Sequence, residues 1–320
     1  MINKTPSFVG IAIITMVLFS LMPQSFARGV HPDLMLNRLN FDGLERSYYL
    51  HLPSNFESAG KLPIVLILHG GGRDDGDDVA KRLDYNRIAD RDNFIAVYPN
   101  GVDAQWNDGR RKTFRKGRSD IWADDVGFLS ALIDHLIHEY KGNPRRVYLT
   151  GLSNGGMMTL RLGCEISSKL AAIAPVIANI PKNIIGKCKP DSPLPLLLMN
   201  GTEDPLVPWN GGHVTLLRRK MGEVVSTEET IQFWAKHNRC NASPTIKRLP
   251  DRNRWDRSTV KVTTYGNRKS GCEVILYAIE GGGHTLPGSN IPNRPRLLGY
   301  KNNDIVGTEV IWGFLRRHSK

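Results

Sequence analysis

The sequence predicts an α/β protein with a mostly parallel central sheet flanked by helices, and three observations carry that expectation. Short continuous apolar runs recur at residues 62–68, 94–98, 147–150, 171–174, 194–199 and 274–279. Runs without alternation suit strands covered on both faces, as in a parallel sheet between helices. Helical patterns separate several of the runs. Over residues 125–140, Phe128, Leu129, Leu132, Ile133, Leu136 and Ile137 share one face, and residues 305–315 read as a closing helix. Strands alternating with helices are the pattern of a layered α/β fold.

Taken in order, the chain opens on a short segment carrying Lys4, then an apolar stretch over residues 8–22, Pro23 and the small residues around Ala27. That layout is a secretory signal peptide over residues 1–27, with cleavage expected after Ala27. An uncleaved anchor is the competing reading, although about 15 apolar residues fall short of a comfortable membrane span. No cysteine stands near the cleavage point to carry a lipid. Residues 28–320 are expected to form one catalytic domain, since no repeat, low-complexity tract or linker divides them. The expected location is secreted or periplasmic, with no stable membrane anchor after cleavage.

Residues 45–52 alternate, with Tyr48 and Tyr49 at their centre, and end at Pro53, as an early strand would. The acidic stretch 74–78 lacks the spacing of a calcium loop and reads as the cap of a helix beginning near Val79. Beyond the export signal lie four cysteines: Cys164, Cys188, Cys240 and Cys272. An even count in an oxidising compartment points to two disulfides with three connectivities open. Sequential pairing closes the shortest loops, and buried free thiols are the alternative.

The segments at the ends of the apolar runs suggest the chemistry. After 147–150 comes Gly151-Leu152-Ser153-Asn154-Gly155, and then a helical pattern. A serine between glycines on a strand-to-helix turn is the setting of a nucleophile elbow, with the helix amides aimed at a developing oxyanion. After 62–68 comes His69-Gly70-Gly71-Gly72, a loop expected to present an oxyanion-hole amide at Gly71 beside that of Asn154. His69 itself reads as scaffold. After 194–199 comes Glu203-Asp204-Pro205, where Asp204 is the expected partner of a histidine and Glu203 a solvated acid. After 274–279 comes Gly281-Gly282-Gly283-His284, read as a flexible glycine approach carrying the general base to the site rim. The order Ser153, Asp204, His284 is that of the α/β-hydrolase fold.

On these segments, with Trp106-Asn107-Asp108 and Asp124-Asp125-Val126-Gly127-Phe128, the sequence resembles the secreted polyhydroxybutyrate depolymerase-like and feruloyl esterase-like esterases. The resemblance runs from about Tyr48 to Phe314. It implies an α/β-hydrolase fold and ester hydrolysis by Ser153, Asp204 and His284, and it supports the pairs Cys164/Cys188 and Cys240/Cys272. Depolymerases of solid polyester usually carry a linker and a polymer-binding domain. Neither is read here, so soluble hydroxyalkanoate oligomers, hydroxycinnamoyl esters or acyl esters are the expected substrates. No metal and no organic cofactor is expected.

Composition adds little: 320 residues, 40% hydrophobic and 23% charged, are ordinary for a globular chain. The net charge of +12 favours acidic partners. It concentrates in Arg110, Arg111, Lys112, Arg115, Lys116 and Arg118, which read either as a positive rim attracting an anionic ester or glycan or as a solvated insertion. No recognised nucleic-acid module accompanies the charge, so nucleic acid is not an expected partner. Trp106 and Trp209 read either as platforms for a sugar or aromatic acyl group or as loop anchors. A second class of function, a non-catalytic envelope- or glycan-binding protein on a hydrolase scaffold, has less in its favour, because a binder needs none of the three catalytic groups.

Overall fold

The structure, a computed structural model, describes residues 34–72, 74–110, 123–240, 243–267 and 272–320. The segment read as a signal peptide and residues 111–118 of the basic stretch lie outside them. Twelve strands lie in the described residues: β1 (Met35–Phe41), β2 (Leu44–His51), β3 (Leu62–Leu68), β4 (Ile95–Pro99), β5 (Gly142–Leu152), β6 (Ala172–Val176), β7 (Leu196–Gly201), β8 (Gly212–Leu216), β9 (Arg219–Val224), β10 (Thr245–Arg248), β11 (Thr259–Asn267) and β12 (Cys272–Glu280). Ten form one sheet in the order β1-β2-β4-β3-β5-β6-β7-β12-β11-β10, and β8 and β9 make a separate hairpin. Every pairing from β4 through β3, β5, β6 and β7 to β12 is parallel, with antiparallel strands at both edges.

Why the central runs are continuously apolar is visible in how they divide. Ile64, Leu66 and Leu68 of β3 enter one core layer, while Val65 and Ile67 enter the other. In β7, Leu196 and Leu198 pack on one side, and Leu197 and Met199 on the other. A period of two that meets hydrophobic cover at both phases leaves no polar position.

Eight α-helices lie in the described residues: α1 (Gly76–Arg82), α2 (Tyr85–Asp92), α3 (Asp125–Glu139), α4 (Asn154–Glu165), α5 (Lys182–Ile185), α6 (Thr227–His237), α7 (Pro295–Leu298) and α8 (Gly307–Leu315). Helices α3, α4 and α6 supply the first layer through Phe128, Leu132, Met157, Leu160, Ile231 and Trp234. The second layer receives Val79, Ile88, Ile311 and Trp312 from α1, α2 and α8. The acidic stretch caps α1: Asp75 accepts from the Asp78 amide and Asp78 answers to the Asp75 amide, a capping box. Among the described residues, no helix is long and apolar enough to cross a membrane.

Cys164 pairs with Cys188 and Cys240 with Cys272, the sequential connectivity. The bridges close intervals of 24 and 32 residues, and each contributes on the order of 3 kcal/mol by restricting the unfolded chain. The first ties the end of α4, the helix behind Ser153, to the segment after α5.

Candidate active site

The carboxyl ends of the parallel strands converge on one cavity of about 290 Å³, whose wall includes Gly71, Ser153, Asn154 and His284. Ser153 sits between β5 and α4 at φ 55°, ψ −115°. A non-glycine residue at positive φ is strained, and the surrounding structure must hold it there. Two features do so. The Ser153 amide donates to the Val176 carbonyl at 2.9 Å. At Gly155 a Cβ would lie 2.4 Å from the His69 carbonyl oxygen and 2.5 Å from that of Leu68, so only glycine lets α4 start against the end of β3.

Asp204 and His284 meet across the loops after β7 and β12. His284 Nδ1 donates to Asp204 Oδ2 at 2.7 Å, with the two side chains 8% and 3% exposed. The other carboxylate oxygen, Oδ1, accepts the Leu206 and Val207 amides at 2.8 and 2.9 Å. The carboxylate is therefore held from both ends, while Glu203 is exposed. The glycines before His284 are not a flexible approach. A Cβ at Gly283 would lie 2.0 Å from the Leu298 carbonyl oxygen, and the Gly283 and His284 amides donate to Tyr300 and Leu298. Close backbone packing, not mobility, requires them, and it fixes the imidazole.

Gly71 and Asn154 are neighbours: a Cβ on Gly71 would come within 3.3 Å of Asn154 Cβ. Neither amide has a protein acceptor among the described residues. The Asn154 side chain is turned away and fully engaged. Its Oδ1 accepts the Trp106 amide at 2.8 Å, and its Nδ2 donates to the Trp106 carbonyl at 3.0 Å and to Asp108 Oδ2 at 2.5 Å. Behind this loop, buried Asp125 accepts the Asn107 amide and the Arg46 guanidinium, both at 2.6 Å. These contacts explain why residues 106–108 and 124–125 belong with the serine motif, although none of them faces a reacting atom.

A family model described as "Esterase PHB depolymerase" matches residues 46–179. NocK of Nocardia uniformis subsp. tsuyamanensis, provisionally named an esterase, is 28% identical over 280 residues, 85% of this chain and 80% of that protein. Feruloyl esterase B of Piromyces equi is 30% identical over 246 residues, 75% of this chain but 42% of that protein. By these matches the chain is similar to the polyhydroxybutyrate depolymerase-like and feruloyl esterase-like esterases. The α/β-hydrolase fold appears also in a solved acetyl xylan esterase from Aspergillus awamori, with TM-score 0.55, 15% identity, and coverage of 79% of this chain and 95% of that one.

Two expectations for this esterase change. Trp106 is fully buried, its ring tilted against that of His69 with centroids 4.9 Å apart, and its indole N–H on the His69 carbonyl at 3.0 Å. No face of the indole is open to a sugar or acyl group, so Trp106 is a loop anchor. Trp209 is half-buried against the first core layer and outside the cavity wall. The apolar wall comes instead from the β8–β9 hairpin, through Val214, Leu216 and Met221, joined by Leu206 and Ile291. Sequence reasoning missed this hairpin. The signal present was the alternation of Val214 and Leu216, two residues apart.

His69 is scaffold in the esterase. The Gly101 amide donates to its Nε2 at 2.9 Å, which leaves the proton on Nδ1 to bond the Gly70 carbonyl at 2.7 Å. It thereby ties the Gly70–Gly72 loop to the loop that grips Asn154. Burial lowers its pKa below the ordinary value of 6.5, against an opposing pull from the Gly70 carbonyl. The unfolded chain therefore takes up a proton at a pH where the folded histidine does not. This contribution to stability is complete above pH 6.5 and is lost as pH falls from 6.5 towards the depressed folded value. Melting curves from pH 7.5 to 5 should fall more steeply for wild type than for His69→Gln. Parallel curves would remove His69 from the acid limb.

Proposed function

We propose that the chain is a secreted or periplasmic serine esterase that cleaves soluble hydroxyalkanoate oligomers, hydroxycinnamoyl esters or acyl esters. The observation that carries this reading is the 2.7 Å Asp204–His284 hydrogen bond at the cavity that also contains Ser153. Ser153 Oγ attacks the ester carbonyl carbon while His284 Nε2 takes the hydroxyl proton. Asp204 holds Nδ1 protonated, so Nε2 is free to act as base. The amides of Gly71 and Asn154 receive the oxyanion, worth about 3–4 kcal/mol per donor in comparable sites. Collapse breaks the bond to the alcohol oxygen, which leaves with the proton from His284. Water then attacks the acyl-enzyme, giving its proton to His284, and Ser153 departs with that proton.

A cavity of about 290 Å³ stands at the low end of ligand sites, which suits one short acyl or hydroxyacid unit against the hairpin wall. The names of the relatives, feruloyl esterase B and an acetylxylan esterase/xylanase, favour feruloyl and acetyl esters within the same range. Two disulfides and the export pattern support a location outside the cytoplasm. A fluorophosphonate probe should label the wild-type protein and leave Ser153→Ala unlabelled. Labelling that survives in Ser153→Ala would place the nucleophile elsewhere. A panel of p-nitrophenyl acyl esters, hydroxycinnamate esters and 3-hydroxybutyrate oligomers ranks the substrates. The exported protein should begin at Arg28, and a mature chain starting at Met1 would exclude cleavage.

A further inference from the structure

Two guanidinium groups stand in the cavity wall, those of Arg82 and Arg110, and they are held differently. Arg82 uses both terminal nitrogens on acids: Nη1 donates to Asp74 at 2.8 Å and Nη2 to Asp78 at 3.0 Å. Asp74, the carboxylate in the wall, is thereby matched by Arg82. Arg110 is buried, and a single acid grips one edge of it. Its Nε donates to Asp108 Oδ1 and Oδ2 at 3.1 and 2.9 Å, and its Nη2 to Oδ2 at 2.6 Å. Among the described residues, nothing accepts from Arg110 Nη1.

A guanidinium has five N–H donors, and those on Nη1 meet no acceptor among the described residues. Asp108 already accepts Asn154 Nδ2 and the Arg110 amide. What the arginine adds is a cation fixed in the cavity wall with one face unclaimed. Its position is fixed relative to Asn154, because Asp108 Oδ2 bonds both Asn154 Nδ2 and Arg110 Nη2. The guanidinium thus lies within about 5 Å of the Asn154 side-chain amide, two hydrogen-bond lengths away.

We infer that Arg110 is the anion-recognising residue of this cavity, and that the favoured ester carries a free carboxylate a few bonds from the scissile carbonyl. This rests on the Ser153 esterase reading above. A linear 3-hydroxyacid dimer has that shape: its terminal carboxylate carbon stands four bonds from the ester carbonyl carbon. The Nη1 edge meets a carboxylate oxygen through charge-assisted hydrogen bonds, roughly twice as strong as neutral ones. The apolar wall, formed by Val214, Leu216 and Met221, receives the aliphatic part.

The test uses the whole mature protein, p-nitrophenyl butyrate as reporter, and the 3-hydroxybutyrate dimer as free acid or as its methyl amide in competition. Competition reports binding whether or not the dimer is cleaved. The free acid should inhibit at least tenfold more tightly than the amide at low salt. Arg110→Gln, which can still hydrogen-bond Asp108, should bring that ratio below about two. Arg110→Lys should keep part of it, because a lysine supplies charge without the planar fork. Melting and fluorophosphonate labelling establish that each variant is folded. If Arg110→Gln is not, a drop of threefold or more in Arg110→Lys decides in favour and an unchanged ratio decides against. Equal inhibition by acid and amide in wild type overturns the inference, as does a preference that survives in folded Arg110→Gln. Wild-type protein that neither turns over p-nitrophenyl butyrate nor takes the fluorophosphonate label overturns the Ser153 reading itself, and this inference with it.

Discussion

Ser153→Ala is expected to lower kcat by about 10⁵-fold or more while leaving the fold intact. In the proposed mechanism the loss is large because the serine supplies the only new covalent bond of the acylation step, and the histidine then has no proton to take. A residual rate over water should remain, since the Gly71 and Asn154 amides can still stabilise an oxyanion formed by direct attack of water. The backbone at this position makes a second outcome testable. Ser153 stands at φ 55°, where a side chain costs on the order of 1–3 kcal/mol. Alanine keeps its Cβ and with it the strain, so its melting temperature should match wild type. Ser153→Gly should be as inactive but more stable by about 1 kcal/mol, which raises Tm by about 2–4 °C. Calorimetry on the three proteins beside p-nitrophenyl butyrate kinetics gives both readings. Above about 1% residual activity in Ser153→Ala, the nucleophile would have to be sought elsewhere; a Tm of Ser153→Gly below wild type would mean the elbow is not strained.

That elbow was legible because every constraint on it is local. A buried strand, a serine between small residues and a following helix are all contiguous in the chain. The same holds for the central strands, whose double cover leaves an unbroken apolar run. Legibility fails where a neighbour distant in sequence decides. Trp106 looks like a substrate platform because it stands in a loop at the carboxyl end of β4. Only the fold shows its indole bonded to the carbonyl of His69, 37 residues away, and its own backbone carbonyl held by the side chain of Asn154, 48 residues away. Asp125 reads as the first acid of a helix, yet its partners are Arg46 and the Asn107 amide.

The β8–β9 hairpin was hidden for a different reason. Its two-residue turn, Leu217-Arg218, has φ 48° and 64°, a geometry that Asn-Gly or Gly-Gly normally announces. With leucine and arginine there, no turn signal appears, and two short strands of mixed polarity pass for loop. The strain at that turn is carried next to the cavity, where Leu216 and Met221 shape the wall. Strand β5 begins five residues before its apolar run. Its first residues are paired to β3 only loosely, and Asn143 to Arg146 are half-buried or exposed, so no apolar signal marks them.

Asp204→Asn should reduce kcat by about 10⁴-fold with little change in stability, and the reason lies in which oxygen is already committed. Oδ1 accepts the Leu206 and Val207 amides, so an asparagine in this place must keep its oxygen there. Its NH₂ is then driven onto the position of Oδ2, facing His284 Nδ1, where it can only donate. The histidine answers by moving its proton to Nε2, and the nitrogen that should take the Ser153 proton already carries one. The rate falls through the wrong tautomer, not through displaced atoms. Glu203→Gln is the control: that side chain is exposed and should change kcat less than about twofold, within the ordinary range of surface substitutions. NMR of the imidazole nitrogens should show the proton on Nδ1 in wild type and on Nε2 in Asp204→Asn. An Asp204→Asn enzyme within tenfold of wild type would mean that His284 is oriented by something else, and the arrangement of the backbone amides around Asp204 would lose its catalytic meaning.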